Sequence, residues 1–360
     1  MLARGFWSQA RGHDEGETMI RVGVVGIGFM GKMHFGVHQA SGKSRVVAIA
    51  DVNEAKLKGD WSAIAGNIGD PSARQVNLAG IKTYAKAEEL IRDPEVDLVD
   101  ITLPTYLHAR YAIAALKAGK HVLCEKPIAL TLEQANEMVA VAKKAKGRFM
   151  VAQCIRFWPE YELAKEAVEK KTYGPVYSAS FRRVSATPVW GWKNWLQKHK
   201  LSGGAVIDLH IHDIDYINYL FGLPKAVSAV GMSKTSGGVD HIVANYTFAR
   251  KNLQVTAEGG WGMQPAFPFS MAYTIVCEKA TLEYSSAKSP SLTVYTADGK
   301  AVVPQVPAGD GYRREIDYFL TCIQEGRKPT RVTAETGRDA LRVAWAEIAS
   351  VRTGRRVALR

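Results

Sequence analysis

Lys126 stands in the run Glu125-Lys126-Pro127, directly after the apolar stretch His121-Val-Leu-Cys124. If that stretch is a parallel strand, the ammonium emerges just past its carboxyl end, where open α/β sheets hold their ligands. Pro127 keeps Lys126 out of helical geometry and fixes the direction of its exit. A loop lysine is by default a solvated surface group, so position alone does not assign it a role. Further along the chain, Asp208, His210, His212, Asp213 and Asp215 interrupt an otherwise apolar segment. An imidazole starts near pKa 6.5 and takes up a proton at neutral pH, whereas a lysine would need a drop of about three units, roughly 4 kcal/mol, to do the same. In acid/base chemistry on a hydroxyl-bearing carbon, His212 is therefore the proton acceptor. Lys126, still charged, would hold the oxygen as it gains alkoxide character. Asp208 would orient one or the other.

The acidic segment admits two periodicities. As a helix, it carries Asp208, His212 and Asp215 at i, i+4 and i+7 on one face, beside an apolar stripe of Ile207, Ile211 and Ile214. As a strand, Asp208, His210 and His212 share one face, and a metal site of His-x-His type, in a hydrolase, becomes the competing reading. The pattern runs on through Ile217 and Leu220 to Gly222 and Pro224, too long for a typical strand, which favours the helix and no metal.

A third set of residues binds rather than reacts. Ile20-Arg-Val-Gly-Val-Val25 runs into Gly26-Ile27-Gly28-Phe29-Met30-Gly31 and then a helical pattern, so strand, glycine turn and helix come in the order a dinucleotide site requires. Gly26 makes the turn, Gly28 lets a pyrophosphate approach the backbone, Gly31 lets helix and strand pack, and the helix amino end offers free N–H groups to the phosphates. Asp51 ends the next apolar run, twenty residues beyond Gly31, where a carboxylate accepts both ribose hydroxyls. The same charge opposes a 2′-phosphate, so NAD is expected rather than NADP, with Lys56 and Lys58 close enough in sequence to soften that preference.

The elements that must position these groups fall into two textures. Between Ile20 and Val151, buried strands at Ile20–Val25, Val46–Ala50, Leu98–Leu103, His121–Cys124 and Phe149–Ala152 alternate with helices, among them Tyr106–Ala118 and one opened by the capping box Thr131-Leu-Glu-Gln134. That alternation predicts a doubly wound parallel sheet. Beyond it come a helix at Tyr161–Lys171 and β-rich runs at Val176–Ser185, Ala226–Met232, His241–Phe248, Leu253–Gly259, Met271–Val276, Ala280–Tyr284 and Leu292–Tyr295. No helix interrupts the later runs, which predicts an open antiparallel or mixed sheet. Two amphipathic helices near Glu315–Gln324 and Ala334–Val351 close the chain. The fold class is therefore α/β plus α+β: a disordered extension over 1–18, a dinucleotide-binding domain over 19–151, and a second, sheet-rich domain over 152–360 whose last segment is free to return to the first.

The 360 residues carry 47 Lys plus Arg against 35 Asp plus Glu, a net charge of +12, but the basic residues are scattered and show no aromatic interleaving, so no nucleic-acid surface is expected. No apolar run approaches the length of a membrane-spanning helix. Four cysteines, Cys124, Cys154, Cys277 and Cys322, are widely spaced, which fits a reducing, cytoplasmic setting.

Taken together, Gly26-x-Gly28-x-x-Gly31, Asp51, His108, Glu125-Lys126-Pro127, Arg156-Phe157 and Gly203-Gly204 followed by Asp208, His212 and Asp215 resemble the glucose-fructose oxidoreductase / inositol dehydrogenase (Gfo/Idh/MocA) family, from Met19 to Leu359. The resemblance implies an amino-terminal Rossmann domain, an open mixed sheet beyond it, and the lysine and the Asp/His helix meeting at the nicotinamide. It also implies hydride transfer between the nicotinamide and a sugar, inositol or polyol carbon, with association as a homodimer or homotetramer through the sheet face. On that basis His108 and Glu125 join the cofactor contacts, and Arg156 and His210 are expected at substrate hydroxyls. Trp192 and Lys193, in Trp190-Gly-Trp192-Lys193-Asn194-Trp195, are expected in a sugar-stacking wall. Trp261 carries the same two readings, wall or core. Where family members commonly show Thr-Pro-Asn, this chain has Leu103-Pro104-Thr105, so no cofactor-ribose contact is assigned there. A non-catalytic sensor of NAD and sugar would share the same binding residues, without the need for Lys126 and His212.

Overall fold

The computed structural model describes residues 19–66 and 75–359; the extension expected over 1–18 lies outside the described residues. Strands β1 (Ile20–Val25), β2 (Ser44–Ala50), β3 (Lys82–Tyr84), β4 (Leu98–Ile101), β5 (His121–Glu125) and β6 (Phe149–Ala152) alternate with helices α1 (Phe29–Ala40), α2 (Glu54–Leu57), α3 (Ala87–Arg92), α4 (Thr105–Lys117) and α5 (Leu132–Lys144). The strands form one sheet in the order β3-β2-β1-β4-β5-β6, with every neighbouring pair parallel. Both faces are covered by helices, which is why β4 and β6 bury every residue and read as unbroken apolar runs. The capping box forms as expected: the Thr131 hydroxyl accepts the Gln134 N–H and the Gln134 side chain accepts the Thr131 N–H. The short β3, α2 and α3 left too few residues for a periodic signal in the sequence.

After a 3-10 turn at Cys154–Phe157 and helix α6 (Pro159–Glu169), the chain lays down β7 (Val176–Ala186), then α7 (His199–Ser202) and α8 (Ile211–Phe221). Strands β8 (Ala226–Met232), β9 (His241–Thr247), β10 (Gln254–Met263), β11 (Ser270–Cys277), β12 (Ala280–Ser285), β13 (Leu292–Thr296) and β14 (Ala301–Val302) follow, then α9 (Gly311–Gln324), α10 (Ala334–Thr353) and β15 (Val357–Ala358). The nine-stranded sheet runs β14-β13-β12-β11-β7-β10-β9-β8-β15. It is mixed, because β7 and β10 pair in parallel while the other neighbours are antiparallel. Strict alternation of buried and less buried residues on β11 marks a sheet with one face covered.

The last helices tie the two sheets together. The Trp345 indole donates to Leu130 O at 3.2 Å, and Lys43 Nζ donates to Thr321 Oγ1 at 2.6 Å. Gly337 sits so close to β6 that an added Cβ would lie 3.0 Å from Val151.

The acidic segment is helical, with one departure from ideal spacing: Val206–His210 form a π-turn that leads into α8. Two left-handed glycines, Gly203 at φ +80° and Gly204 at φ +75°, precede it. Asp208 and His212 both reach the cleft described below, but Asp215 does not; it turns inward to Arg156, overturning the expected three-residue stripe.

Candidate active site

A cleft of about 570 Å³ opens at the carboxyl ends of the parallel strands and is bounded on its far side by the π-turn and the tryptophan loop. Its nucleotide end is shaped by the glycine turn. Gly26 takes φ +92° and its N–H donates to Ala50 O at 2.8 Å. A Cβ on Gly28 would meet nothing within 4 Å, leaving the approach to the backbone open, whereas one on Gly31 would lie 2.1 Å from Gly26 O. Gly31 is thus a packing residue and does not border the cleft. Phe29 and Met30 line the cleft; Ile27 does not, and gives its N–H to Asp51 Oδ2 at 2.8 Å. Lys56 Nζ is 3.5 Å from that same Oδ2, and the other Asp51 oxygen accepts the Asn53 N–H at 2.8 Å. These residues fit a dinucleotide: open backbone at a helix amino end and a carboxylate at the end of β2.

At the other end, Lys126 Nζ donates to Asp208 O at 2.7 Å and lies 3.6 Å from Asp208 Oδ1. The ammonium from the first sheet therefore meets the π-turn of the second unit. His212 lines the same cleft, and its buried Nδ1 has no hydrogen-bond partner among the described residues. Burial, then the Lys126 and Arg183 charges, hold its pKa well below that of a free imidazole, so the ring is neutral at neutral pH. Lys126, Asp208 and His212 are thus brought together.

Glu125 lines the cleft, and its Oε2 accepts the Lys126 N–H at 3.0 Å. His108 sits behind it, with Nδ1 2.8 Å from Pro127 O and Nε2 2.7 Å from Leu103 O. It braces the Lys126 loop against the end of β4 without bordering the cleft.

Two expected substrate ligands are elsewhere. The Arg156 guanidinium donates twice to Asp215, both at 2.7 Å, and once to Arg331 O at 2.6 Å; it is buried and away from the cleft. His210 is buried too, with Nε2 3.3 Å from Glu347 Oε2 and 3.4 Å from the Tyr246 hydroxyl. His210 and His212 point to different surroundings, which removes the His-x-His alternation. Trp192 does border the cleft, as do Trp190 and Trp195, while Lys193 packs its ammonium over the Trp192 ring at 4.6 Å. Trp261 is core, its indole N–H bonded to Asp240.

Sequence reasoning missed Arg183. Its guanidinium borders the cleft and donates to both oxygens of Asp213, at 3.0 and 3.1 Å, in a fully buried pair. The signal was available: Arg183 shares the inward parity of Ala179 and Phe181 on an alternating strand, where a lone charge demands a partner. Tyr312 and Trp158, which also line the cleft, carried no such signal.

Comparison with known proteins agrees with this architecture. The NAD-binding Rossmann-fold profile of the Gfo/Idh/MocA oxidoreductase family matches residues 20–153, and the family's C-terminal alpha/beta-domain profile matches residues 165–359. The myo-inositol 2-dehydrogenase of Thermotoga maritima is 27% identical over 353 residues, covering 94% of this chain and 98% of that protein. A D-xylose 1-dehydrogenase (NADP(+)) of Haloferax volcanii is 28% identical, covering 94% and 98%. The solved structure of a levoglucosan dehydrogenase in complex with NADH and levoglucosan shares the fold, with a TM-score of 0.80 at 23% identity over 95% of this chain and 99% of that one. With both of its halves matched and its glycine turn open to a dinucleotide, the chain belongs to the Gfo/Idh/MocA family of NAD(P)-binding oxidoreductases.

Proposed function

We propose that the protein is a dehydrogenase that transfers a hydride between a nicotinamide cofactor and a carbinol carbon of a sugar, inositol or related polyol. The observation that carries this reading is the meeting of Lys126 with Asp208 in a cleft that also holds a neutral His212, whose Nδ1 has no partner among the described residues. Names of relatives support the substrate class: they act on inositol, xylose and, in the structural neighbour, levoglucosan. The bound nicotinamide supplies the hydride acceptor. The chain supplies the rest. Lys126 holds the substrate oxygen, His212 takes the hydroxyl proton on its imidazole, and Asp208 fixes the ammonium through its carbonyl and carboxylate. Trp190, Trp192 and Trp195 offer aromatic faces to the apolar side of a sugar ring.

Asp51 supports NAD over NADP, since its carboxylate opposes a 2′-phosphate; Lys56, 3.5 Å from it, works in the other direction. The division at residue 151, a cytoplasmic setting and assembly through the nine-stranded sheet complete the proposal. The four cysteines are free and buried, and Tyr177, Val230, Val243 and Tyr295 expose apolar surface on that sheet. The test is reduction of NAD and of NADP, followed at the nicotinamide absorbance, against inositols, aldoses and their keto derivatives. Turnover with one of them is expected; tight nucleotide binding with no turnover on any would replace the enzyme by a sensor.

A further inference from the structure

Behind Lys126 lies a chain of buried ionisable groups that the proposed chemistry does not use. His34, on α1, is fully buried, with Nδ1 2.9 and 3.1 Å from the two oxygens of Asp100; its Nε2 lies 3.2 Å from Glu125 Oε1, an ion-pair distance without hydrogen-bond alignment. Asp100, on β4, also receives His38 Nε2 at 3.0 Å, and His38 Nδ1 is 3.0 Å from Ser44 Oγ. Every member except Glu125 is shut off from solvent, and Glu125 opens on the cleft. The groups facing His34 come from each element packed on it: His38 from α1, Asp100 from β4, Glu125 from β5 and the buried carboxyl of Glu315 from α9.

Burying an aspartate, two histidines and a glutamate in an apolar core is costly, and apolar residues of like volume would fill the space at no such cost. The line has a direction, however. It ends on the carboxylate whose second oxygen accepts the Lys126 N–H. Asp100 fixes the rotation of the imidazole through Nδ1, and the far edge of the ring faces the Glu125 carboxylate, so the line links the sheet to a residue of the cleft.

We propose that His34 is a positioning residue: clamped between Asp100 and Glu125, it fixes the Glu125 carboxylate, which holds the Lys126 backbone and so aims the ammonium. This role rests on Lys126 acting as the substrate-oxygen ligand in the dehydrogenase reading. Burial disfavours charge on His34, but the Asp100 and Glu125 carboxylates outweigh it and keep the ring an imidazolium well above its usual range.

The first test is made without cofactor or substrate. Nitrogen NMR of the wild-type histidines at about pH 8, where a free imidazole is neutral, should show His34 protonated on both nitrogens. Hydrogen exchange at the Lys126 amide should be about tenfold faster in His34→Gln and in Asp100→Asn, which keeps the shape of the aspartate, than in the wild type. In turnover, both variants should lose about tenfold to a hundredfold in kcat while the sugar KM stays within about twofold. A neutral His34, unchanged exchange at Lys126 in a folded variant, or wild-type kcat in either one would overturn the proposal. If His34→Gln does not fold, Asp100→Asn and the wild-type spectrum decide. Should the wild type turn over no sugar, the dehydrogenase reading falls, and the NMR and exchange measurements still decide whether His34 positions Lys126.

Discussion

In the proposed chemistry His212 takes the hydroxyl proton, and its surroundings set a pH dependence with a definite sign. Burial and the neighbouring Lys126 and Arg183 charges lower its pKa, so the acid limb of kcat/KM should lie below pH 6.5, the value for a free imidazole. Replacing Lys126 by Met removes one of the depressing charges and should shift the limb upward while kcat falls. His212→Gln should lose about 100-fold to 10,000-fold in kcat, the range for loss of a general base; a pH–rate profile of the three proteins checks both statements, and near-normal rates in both variants would end the assignment. Arg183 makes a different point. Its pair with Asp213 is fully buried, so Asp213→Ala strands a guanidinium in the core and should cost about 3–5 kcal/mol in denaturant unfolding. Residue types, spacing and the family resemblance singled out Lys126, Asp208 and His212 as candidates, and the fold brings the three to one cleft. The same signals misdirected Arg156 and His210, since a motif says that a polar residue is needed and not which partner it faces.

At the scale of the element, the glycine turn and the π-turn do the positioning. The glycine turn was legible, as its roles follow from backbone geometry that only glycine satisfies cheaply: positive φ at Gly26, open space at Gly28 and a close approach at Gly31. Gly31→Ala would place a methyl group 2.1 Å from Gly26 O, so α1 must retreat from the turn. We expect a loss of about 1–3 kcal/mol in stability, as for other overpacked cores, together with weaker NADH binding measured by nicotinamide fluorescence. The π-turn was not legible. Five residues per hydrogen-bonded loop instead of four leave no mark on hydrophobic periodicity, yet the turn sets Asp208 at the cleft with its carbonyl on Lys126. Strand boundaries were read to within a few residues wherever burial alternated, as on β11, or was continuous, as on β4.

For the whole molecule, the buried polar groups predict how stability follows pH. Asp100 is held near pKa 2: burial opposes its charge, but the imidazoles of His34 and His38 outweigh burial. Its contribution is therefore complete above about pH 4, the unfolded value, and is lost as pH falls toward 2. Glu315 runs the other way. Burial, with the charges of Glu125 and Asp100, raises its pKa well above the usual carboxylate range, so its burial is cheapest below about pH 4.3 and stability is lost as pH rises. Glu315→Gln, neutral at every pH, should raise Tm at pH 8 more than at pH 5 in calorimetry. The sequence alone determined the two-part architecture, the dinucleotide turn and the candidates for the reacting groups, because local backbone geometry and hydrophobic period are written residue by residue. Tertiary structure alone decided which charges pair, Arg156 with Asp215, Arg183 with Asp213 and His34 with Asp100. Those choices depend on distances between segments up to tens of residues apart, and a buried charge takes whichever opposite charge the packing brings within reach.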